Sequence, residues 1–180
     1  MFFAIFGLLH SPDYRTEYAA DLKKMLPRIP ELADPADFWA FTAAGRSLSE
    51  LHLGYESVEP YPVTVTGTVP DDLFVTKMEF GGKPGAWDKT TVNVTDSITV
   101  TGTPEEAHEY VLGSRSAIEW VLERYQVTTH KASGIKNDPN DSGREHGQPL
   151  YILDLPNRMA TVSMETVAIV KGLPALEVAE

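Results

Sequence analysis

One stretch of the chain decides its fold class: Thr91-Val92-Asn93-Val94-Thr95-Asp96-Ser97-Ile98-Thr99-Val100-Thr101-Gly102. Valine or isoleucine alternates with polar residues on both sides of Asp96-Ser97, and a period of two is typical of a half-buried β-strand. The stretch therefore predicts two strands joined by a turn. Residues 62–67 alternate in the same way, residues 73–80 predict a further strand, and residues 81–85 predict a loop. We expect a small antiparallel sheet of three or four strands.

The residues before the sheet predict helices. Ser11-Pro12-Asp13 and Asp34-Pro35 are helix-start signatures, because a side-chain oxygen caps the first turn and proline is tolerated there. The first helix should end near Leu26, before Pro27, and the second near Leu53, with Gly54 as its cap. The apolar residues 1–9 predict a buried helix or strand.

The residues after the sheet predict helices and one long loop. Thr103-Pro104-Glu105-Glu106 predicts a capping box and a helix to about residue 112. Residues 118–125 and 157–170 predict further helices, and the polar stretch 128–148 predicts a loop. The order indicates an α+β fold with helices flanking a small antiparallel β-sheet. We expect one domain over residues 1–180: helical 1–55, sheet-rich 61–102 and helical 103–172.

Composition limits the function. The chain has no cysteine, which excludes disulfide frameworks, zinc ribbons and cysteine nucleophiles and fits a reducing cytoplasm. The apolar N-terminal run lacks a basic leader and is too short to span a bilayer, so we predict a cytoplasmic protein without a membrane partner. The net charge of −11 opposes indiscriminate nucleic-acid binding, so any DNA contact needs a local basic surface.

No pattern for catalysis or cofactor binding is present in the sequence. It has no phosphate-binding glycine loop, and its five histidines lack metal-ligand spacing, so we interpret them as structural or solvated. Glu105 and Glu106 are explained by helix capping. The sequence predicts a binding module with no catalytic residue, metal or cofactor of its own.

Long segments of the chain resemble the C-terminal specificity region of type ISP restriction–modification enzymes and their helicase-annotated relatives. The matching segments include Phe6-Gly7-Leu8-Leu9-His10-Ser11-Pro12-Asp13-Tyr14-Arg15, Gly113-Ser114-Arg115-Ser116-Ala117-Ile118-Glu119-Trp120, Ser133-Gly134-Ile135-Lys136-Asn137-Asp138-Pro139-Asn140-Asp141 and Val162-Ser163-Met164-Glu165-Thr166-Val167. The resemblance extends over nearly the whole chain and is weakest between Val63 and Thr101.

The resemblance implies a role in DNA-sequence recognition inside a larger enzyme. In that family one polypeptide carries a nuclease, an ATP-driven motor, a coupler, an adenine methyltransferase and this specificity region. The implied partners are double-stranded DNA and the methyltransferase and coupler domains. The chain lacks Asn-Pro-Pro-Tyr and motor motifs, so S-adenosylmethionine, ATP and magnesium are assigned to the parent. The alternative is a protein-interaction module that docks the methyltransferase and motor domains without base contacts.

Candidate DNA contacts fall in two regions of the chain. The polar stretch 128–148 contributes Lys131, Lys136, Asn137, Asn140 and Arg144. The sheet contributes Lys77, Lys83 and Lys89, together with Trp87. Arg115 and Arg124 are candidates whose alternative role is ion pairing with Glu119 or Glu123. We expect Trp39, Trp120 and Tyr125 to lie in the core rather than to stack on bases. Lys23, Lys24 and Arg28 should face the C-terminal end of a helix, with DNA contact as their alternative role.

Overall fold

The computed structural model describes residues 1–179 and confirms the α+β class, with helices and small antiparallel sheets. The chain divides into two compact units. The first comprises Met1–Tyr55 and the C-terminal residues from Glu165, and the second comprises Glu56–Met164. The expectation of one domain over residues 1–180 stays a prediction. None of the helices within the described residues has the length and apolar character needed to cross a membrane.

The first unit is helical. Its N-terminal helices are α1 (Phe2–His10), α2 (Pro12–Glu17), α3 (Ala19–Lys23) and α4 (Pro35–Leu53). Helices α1 and α4 pack at a crossing where each has a glycine, Gly7 and Gly45. A Cβ atom on Gly45 would overlap the carbonyl oxygen of Phe3 and lie 2.7 Å from the nitrogen of Gly7. Only glycine permits an approach this close.

The predicted caps of α4 are confirmed. The single helix predicted between Pro12 and Leu26 is wrong, because this stretch forms two helices, α2 and α3. The Asp34 side chain accepts the Ala36 N–H at 2.7 Å, and Gly54 caps the C-terminal end. Tyr18, with φ −100° and ψ 21°, separates α2 from α3. Its ring stacks on Tyr14, whose buried hydroxyl donates to the Arg28 carbonyl at 2.6 Å. The bond to Arg28 ties α2 to the segment that follows α3.

The second unit contains the sheet. Its strands are β1 (Thr64–Thr66), β2 (Glu79–Lys83), β3 (Ala86–Asn93) and β4 (Thr99–Thr101). They are antiparallel in the order β1-β4-β3-β2, and buried Val92 lies opposite buried Val100. The predicted alternation is therefore confirmed. The predicted loop 81–85 is wrong, because β2 continues to Lys83 and the turn narrows to Pro84-Gly85, where Gly85 has φ +86°.

The helices after the sheet differ from the expectation at both ends. Glu105–Glu109 is a 3₁₀ helix without a side-chain cap, so the capping box predicted at Thr103 is wrong. The chain then forms a hairpin of β5 (Val111–Leu112) and β6 (Arg115–Ser116), which turns at Gly113 with φ +71°. Helix α5 (Ala117–Arg124) has the capping box instead, between Ser116 and Glu119.

The predicted loop 128–148 is partly ordered. It contains the short strands β7 (Thr128–Thr129) and β8 (Lys136–Asn137), which pair with each other, and helix α6 (Asn140–Glu145). Helix α7 (Tyr151–Lys171) begins before the predicted residue 157 and includes Pro156. The fold thus tolerates a proline beyond the first turn of this helix.

Candidate nucleic-acid interface

The amide of Asn140 fixes an extended segment beside the sheet. Its Oδ1 accepts the Val75 N–H at 2.9 Å, and its Nδ2 donates to the Val75 carbonyl at 2.9 Å and to Asp138 Oδ1 at 2.8 Å. The sequence predicted a strand over residues 73–80, but residues 73–78 form no strand. The side chain of Asn140 holds this segment in place instead. Leu73 and Val75 are buried, whereas the ring of Phe74 between them is 42% exposed.

Two cations lie beside the exposed ring of Phe74. Lys136 Nζ is 5.8 Å and Arg144 Cζ is 5.4 Å from the ring centroid. Both distances are within the range of cation–π attraction. Lys136 also pairs with Asp138 at 2.8 Å, and Arg144 pairs with Asp141 at 2.9 Å. Hydrogen bonds from Lys136 and then Asn140 lower the pKa of Asp138 to about 2, so this carboxylate is charged at neutral pH.

Two open clefts connect Phe74 to the sheet. Phe74 and Lys77 line a cleft of about 360 Å³ whose other walls include Asn93 and Asp96. Lys77 also lines a second cleft, of about 250 Å³, which includes Trp87 and Arg115. The two clefts share Lys77 and Glu79, and the carboxylates of Asp96, Glu119 and Glu123 also line them. We call the region the basic–aromatic surface after its cations and rings and define it by Arg144, Lys136, Phe74, Lys77, Trp87 and Arg115. The structure thus brings Lys136 and Arg144 of the polar stretch near Lys77 of the sheet region, which the sequence presented as alternatives.

Most cations predicted to contact DNA have a carboxylate partner. In addition to the pairs of Lys136 and Arg144 described above, there are three such ion pairs: Lys77 with Glu79, Lys89 with Glu119 at 2.8 Å, and Arg115 with Glu123. Burial raises the pKa of Glu119, but hydrogen bonds from Lys89 and the Ser116 backbone outweigh burial and lower it overall. Exposed ion pairs of this kind contribute about 0–1 kcal/mol. A phosphate could therefore replace the carboxylate at little cost.

Three predicted cations have no ion pair within residues 1–179: Lys83, Arg124 and Lys131. Lys83 ends β2 beside the hairpin turn, and Lys131 lies in the turn between β7 and β8. Arg124 Cζ lies 5.0 Å from the ring centroid of Trp120, which also has Arg115 at 5.2 Å. These side chains retain free charge.

Two expectations about individual residues change. Asn140 is 4% exposed and its amide is fully used within the fold, so it leaves the set of candidate base contacts, whereas Asn137 is exposed. The prediction that Trp39 lies in the core is wrong, because this side chain is 66% exposed. Trp120 and Tyr125 are partly buried, and Trp120 Nε1 donates to the Leu112 carbonyl at 2.8 Å.

Sequence reasoning missed Phe74. The signal was present, because buried Leu73 and Val75 place the intervening side chain on the opposite face. A phenylalanine in an apolar segment is more simply interpreted as core, and nothing local indicates the two cations supplied by residues 136 and 144.

His108 bridges two elements, since its Nδ1 lies 3.0 Å from Ser116 Oγ and its Nε2 lies 3.0 Å from the Lys89 carbonyl oxygen. Burial is the main cause that lowers its pKa. Across residues 1–179, no group of three or more histidine, aspartate or glutamate side chains is arranged to hold a metal ion.

The fold and the site define a small α+β module that presents a basic–aromatic surface. The family model of the Type ISP C-terminal specificity domain matches residues 1–155. The chain belongs to this family.

Solved structures agree with this assignment. The chain is similar to a nuclease-deletion mutant of the Type ISP restriction–modification enzyme LlaGI in complex with a DNA substrate mimic, with 42% identity and a TM-score of 0.87 over 99% of this chain and 16% of that one. It is also similar to the ATP-dependent Type ISP enzyme LlaBIII bound to DNA, with 36% identity and a TM-score of 0.87 over 99% of this chain and 11% of that one.

A third similar structure is a DrdV–DNA complex, with 36% identity and a TM-score of 0.78 over 98% of this chain and 18% of that one. The chain therefore spans less than a fifth of the length of these solved chains. Comparison with curated proteins gives no significant match.

Proposed function

We propose that this chain selects the DNA sequence on which a longer Type ISP restriction–modification enzyme acts. The observation that carries the proposal is the similarity, over 99% of the chain and at 42% and 36% identity, to parts of two Type ISP enzymes solved with DNA or a DNA mimic. The basic–aromatic surface supplies suitable chemistry. Phosphate contacts position a protein on the duplex, and side chains that reach base edges give specificity.

The cations can exchange their partners when DNA binds. Lys77 and Arg144 hold exposed carboxylates, and a phosphate can take the place of each. Lys136 differs because the side chain of its partner, Asp138, is only 7% exposed. Arginine pairs well with guanine and asparagine with adenine in the major groove, so Arg144 and the exposed Asn137 are the best base-contact candidates in this region.

The chemistry of the longer enzyme lies outside this chain. Within residues 1–179 no acidic or histidine cluster fits magnesium, and the sequence has no Asn-Pro-Pro-Tyr and no phosphate-binding glycine loop. These residues do not fit S-adenosylmethionine, ATP or magnesium, which we assign to the methyltransferase, motor and nuclease parts of the parent. The chain itself is non-catalytic, and it acts in the cytoplasm.

A selection followed by a salt series tests the proposal. The full-length enzyme would first be used to select duplexes from a randomised pool. Binding of the selected duplex would then be measured from about 50 to 200 mM salt for two triple-alanine variants, one at Lys131, Lys136 and Arg144 and one at Lys77, Lys83 and Lys89. We expect both variants to bind more weakly, and the log–log salt slope to fall by about one for each phosphate that a variant no longer neutralises.

The matched control removes three positive charges elsewhere. Alanine at Lys23, Lys24 and Arg28, which lie in the first unit, should leave the salt slope and the selected sequence unchanged. Two results would contradict the proposal. One is that the wild-type enzyme selects no common sequence, and the other is that the wild type and both triple variants have identical salt slopes.

A second candidate function is docking of the other domains of the longer chain. It is favoured by three exposed apolar side chains of the first unit: Met25 (87% exposed), Leu26 and Trp39. Exposed apolar groups of this kind are typical of protein contacts when they are contiguous. Under this function, polar replacements at these positions would weaken assembly of the enzyme and leave its selected sequence unchanged.

A further inference from the structure

We propose that Phe74 inserts at one base step of the bound duplex and stacks against a base there, while Lys136 and Arg144 move from its ring to the adjacent phosphates. The inference rests on the proposed function and assigns a contact that the sequence analysis did not predict.

The first support is the fixed position of the exposed ring. Single exposed apolar residues are common on protein surfaces and need no special explanation. Phe74 differs because the buried side chains of Leu73 and Val75 hold the backbone on both sides. The Asn140 amide also bonds both backbone polar groups of Val75. The ring is therefore presented to solvent by a backbone that is anchored on both sides.

The second support is the charge around the ring. Lys136 and Arg144 belong to different elements, β8 and α6, yet both place their cationic groups within 6 Å of the ring centroid. Cation–π attraction is weak at an exposed site, and a phosphate that draws the cations away also replaces their ion pairs with Asp138 and Asp141. An approaching duplex would draw the cations to its backbone and leave the ring accessible to a base.

The third support is the cleft beside the ring. Phe74 forms one wall of the cleft of about 360 Å³, and the other walls carry the exposed amide of Asn93, the Thr95 hydroxyl, Lys77 and the carboxylates of Glu79 and Asp96. These groups donate and accept hydrogen bonds, as needed to recognise a base edge. Stacking and edge recognition could thus act on one nucleotide.

The test uses three replacements in the full-length enzyme with the selected duplex: F74A, F74L and F74Y. We expect F74A to bind about 5- to 150-fold more weakly, which corresponds to the absence of one stacked base. F74L should also bind more weakly, because it lacks an aromatic face, and F74Y should remain within about threefold of wild type. The salt slope should be unchanged in all three, since no charge is removed.

A fluorescence scan gives a readout that is independent of affinity. 2-Aminopurine would be placed at each adenine position of the duplex in turn. With the wild type, one emission change should persist with F74Y and disappear with F74A, whereas a change caused by methyltransferase flipping of the target adenine should be the same in all the proteins. Thermal unfolding would show that each variant is folded, and the wild-type scan stands even if F74A is not.

Two results would overturn the inference. Binding by F74A within about twofold of wild type would show that the ring makes no important contact. A fall in the salt slope with F74A would show that Phe74 only positions the cations. If the wild type selected no sequence, the proposed function itself would fail, and that result is visible before any Phe74 variant is measured.

Discussion

The side chain of Asn140 supplies the hydrogen bonds that a neighbouring strand would otherwise give to Val75. Both amide hydrogens and the amide oxygen are used, and the residue is 4% exposed. N140A should lower the free energy of unfolding by about 2–6 kcal/mol, because two buried backbone groups would be left without partners at roughly 1–3 kcal/mol each. Chemical denaturation measures this change.

Asn137 provides the control for this prediction. It lies three residues away and is exposed, so N137A should change the free energy of unfolding by no more than about 0.5 kcal/mol. Equal effects of the two replacements would contradict a structural role for Asn140.

The paired rings of His10 and His52 make the stability of the first unit depend on pH. Their centroids are 5.6 Å apart, and His52 Nε2 lies 2.9 Å from Thr166 Oγ1. Burial, and secondarily His10, lowers the pKa of His52 from 6.5 to about 4. The unfolded chain therefore binds more protons between these two values, and stability falls as the pH drops from about 6.5 towards 4.

The prediction is a difference between variants. Between about pH 7 and about pH 4.5, the thermal midpoint of the wild type should fall more steeply than that of H52Q, because the variant has no proton to take up at this position. Scanning calorimetry measures both midpoints. H130Q, at an exposed histidine, should retain the wild-type dependence. Parallel curves for the wild type and H52Q would contradict the prediction.

At the scale of elements, the crossing of α1 and α4 depends on two glycines. In a helix, glycine to alanine normally stabilises by about 1 kcal/mol. At Gly45 we expect the opposite sign, with a destabilisation of several kcal/mol, because the new Cβ would overlap the Phe3 backbone and the helices would have to separate. The free energy of unfolding of G45A, measured by denaturation, tests this expectation.

Gly172 is the matched position for this change. A Cβ there would meet only ordinary contacts, the nearest 3.5 Å away at the Ile169 carbonyl oxygen. G172A should therefore be neutral or slightly stabilising. A destabilisation as large as that of G45A would mean that the helix crossing is not the cause.

Local patterns predicted some elements well because their causes are local. Asp34 caps its own helix, and Val92 and Val100 alternate because one face of the sheet is buried. The capping boxes show the limit. Thr103 with Glu106 and Ser116 with Glu119 both fit the spacing, and only the second forms. The choice depends on the β5–β6 hairpin, which the spacing of residues 103–106 does not reveal.

The candidate site divides in the same way. Its cations could be predicted because charge is visible in sequence. The exclusion of Asn140 and the inclusion of Phe74 could not be predicted. Both depend on the contact between Asn140 and Val75, which lie 65 positions apart along the chain. The union of the two predicted regions into one surface is likewise a tertiary result.

At the scale of the whole molecule, the net charge of −11 sets how the chain alone should bind. Long-range attraction to DNA is poor for such a chain, and most of its candidate cations are already paired. We expect the 180-residue chain to bind the selected duplex at least about 100-fold more weakly than the full-length enzyme does at the same salt. Fluorescence anisotropy measures both affinities, and equal affinities would contradict the expectation.

The Asn140 amide also provides a spectroscopic probe of this surface. Its two hydrogens are held by different acceptors, the Val75 carbonyl and Asp138. In an NMR spectrum they should give two well-separated resonances that exchange slowly with deuterated solvent, unlike those of Asn137. Their persistence during a DNA titration would report that the support beneath Phe74 stays intact, and their broadening would report that the support opens.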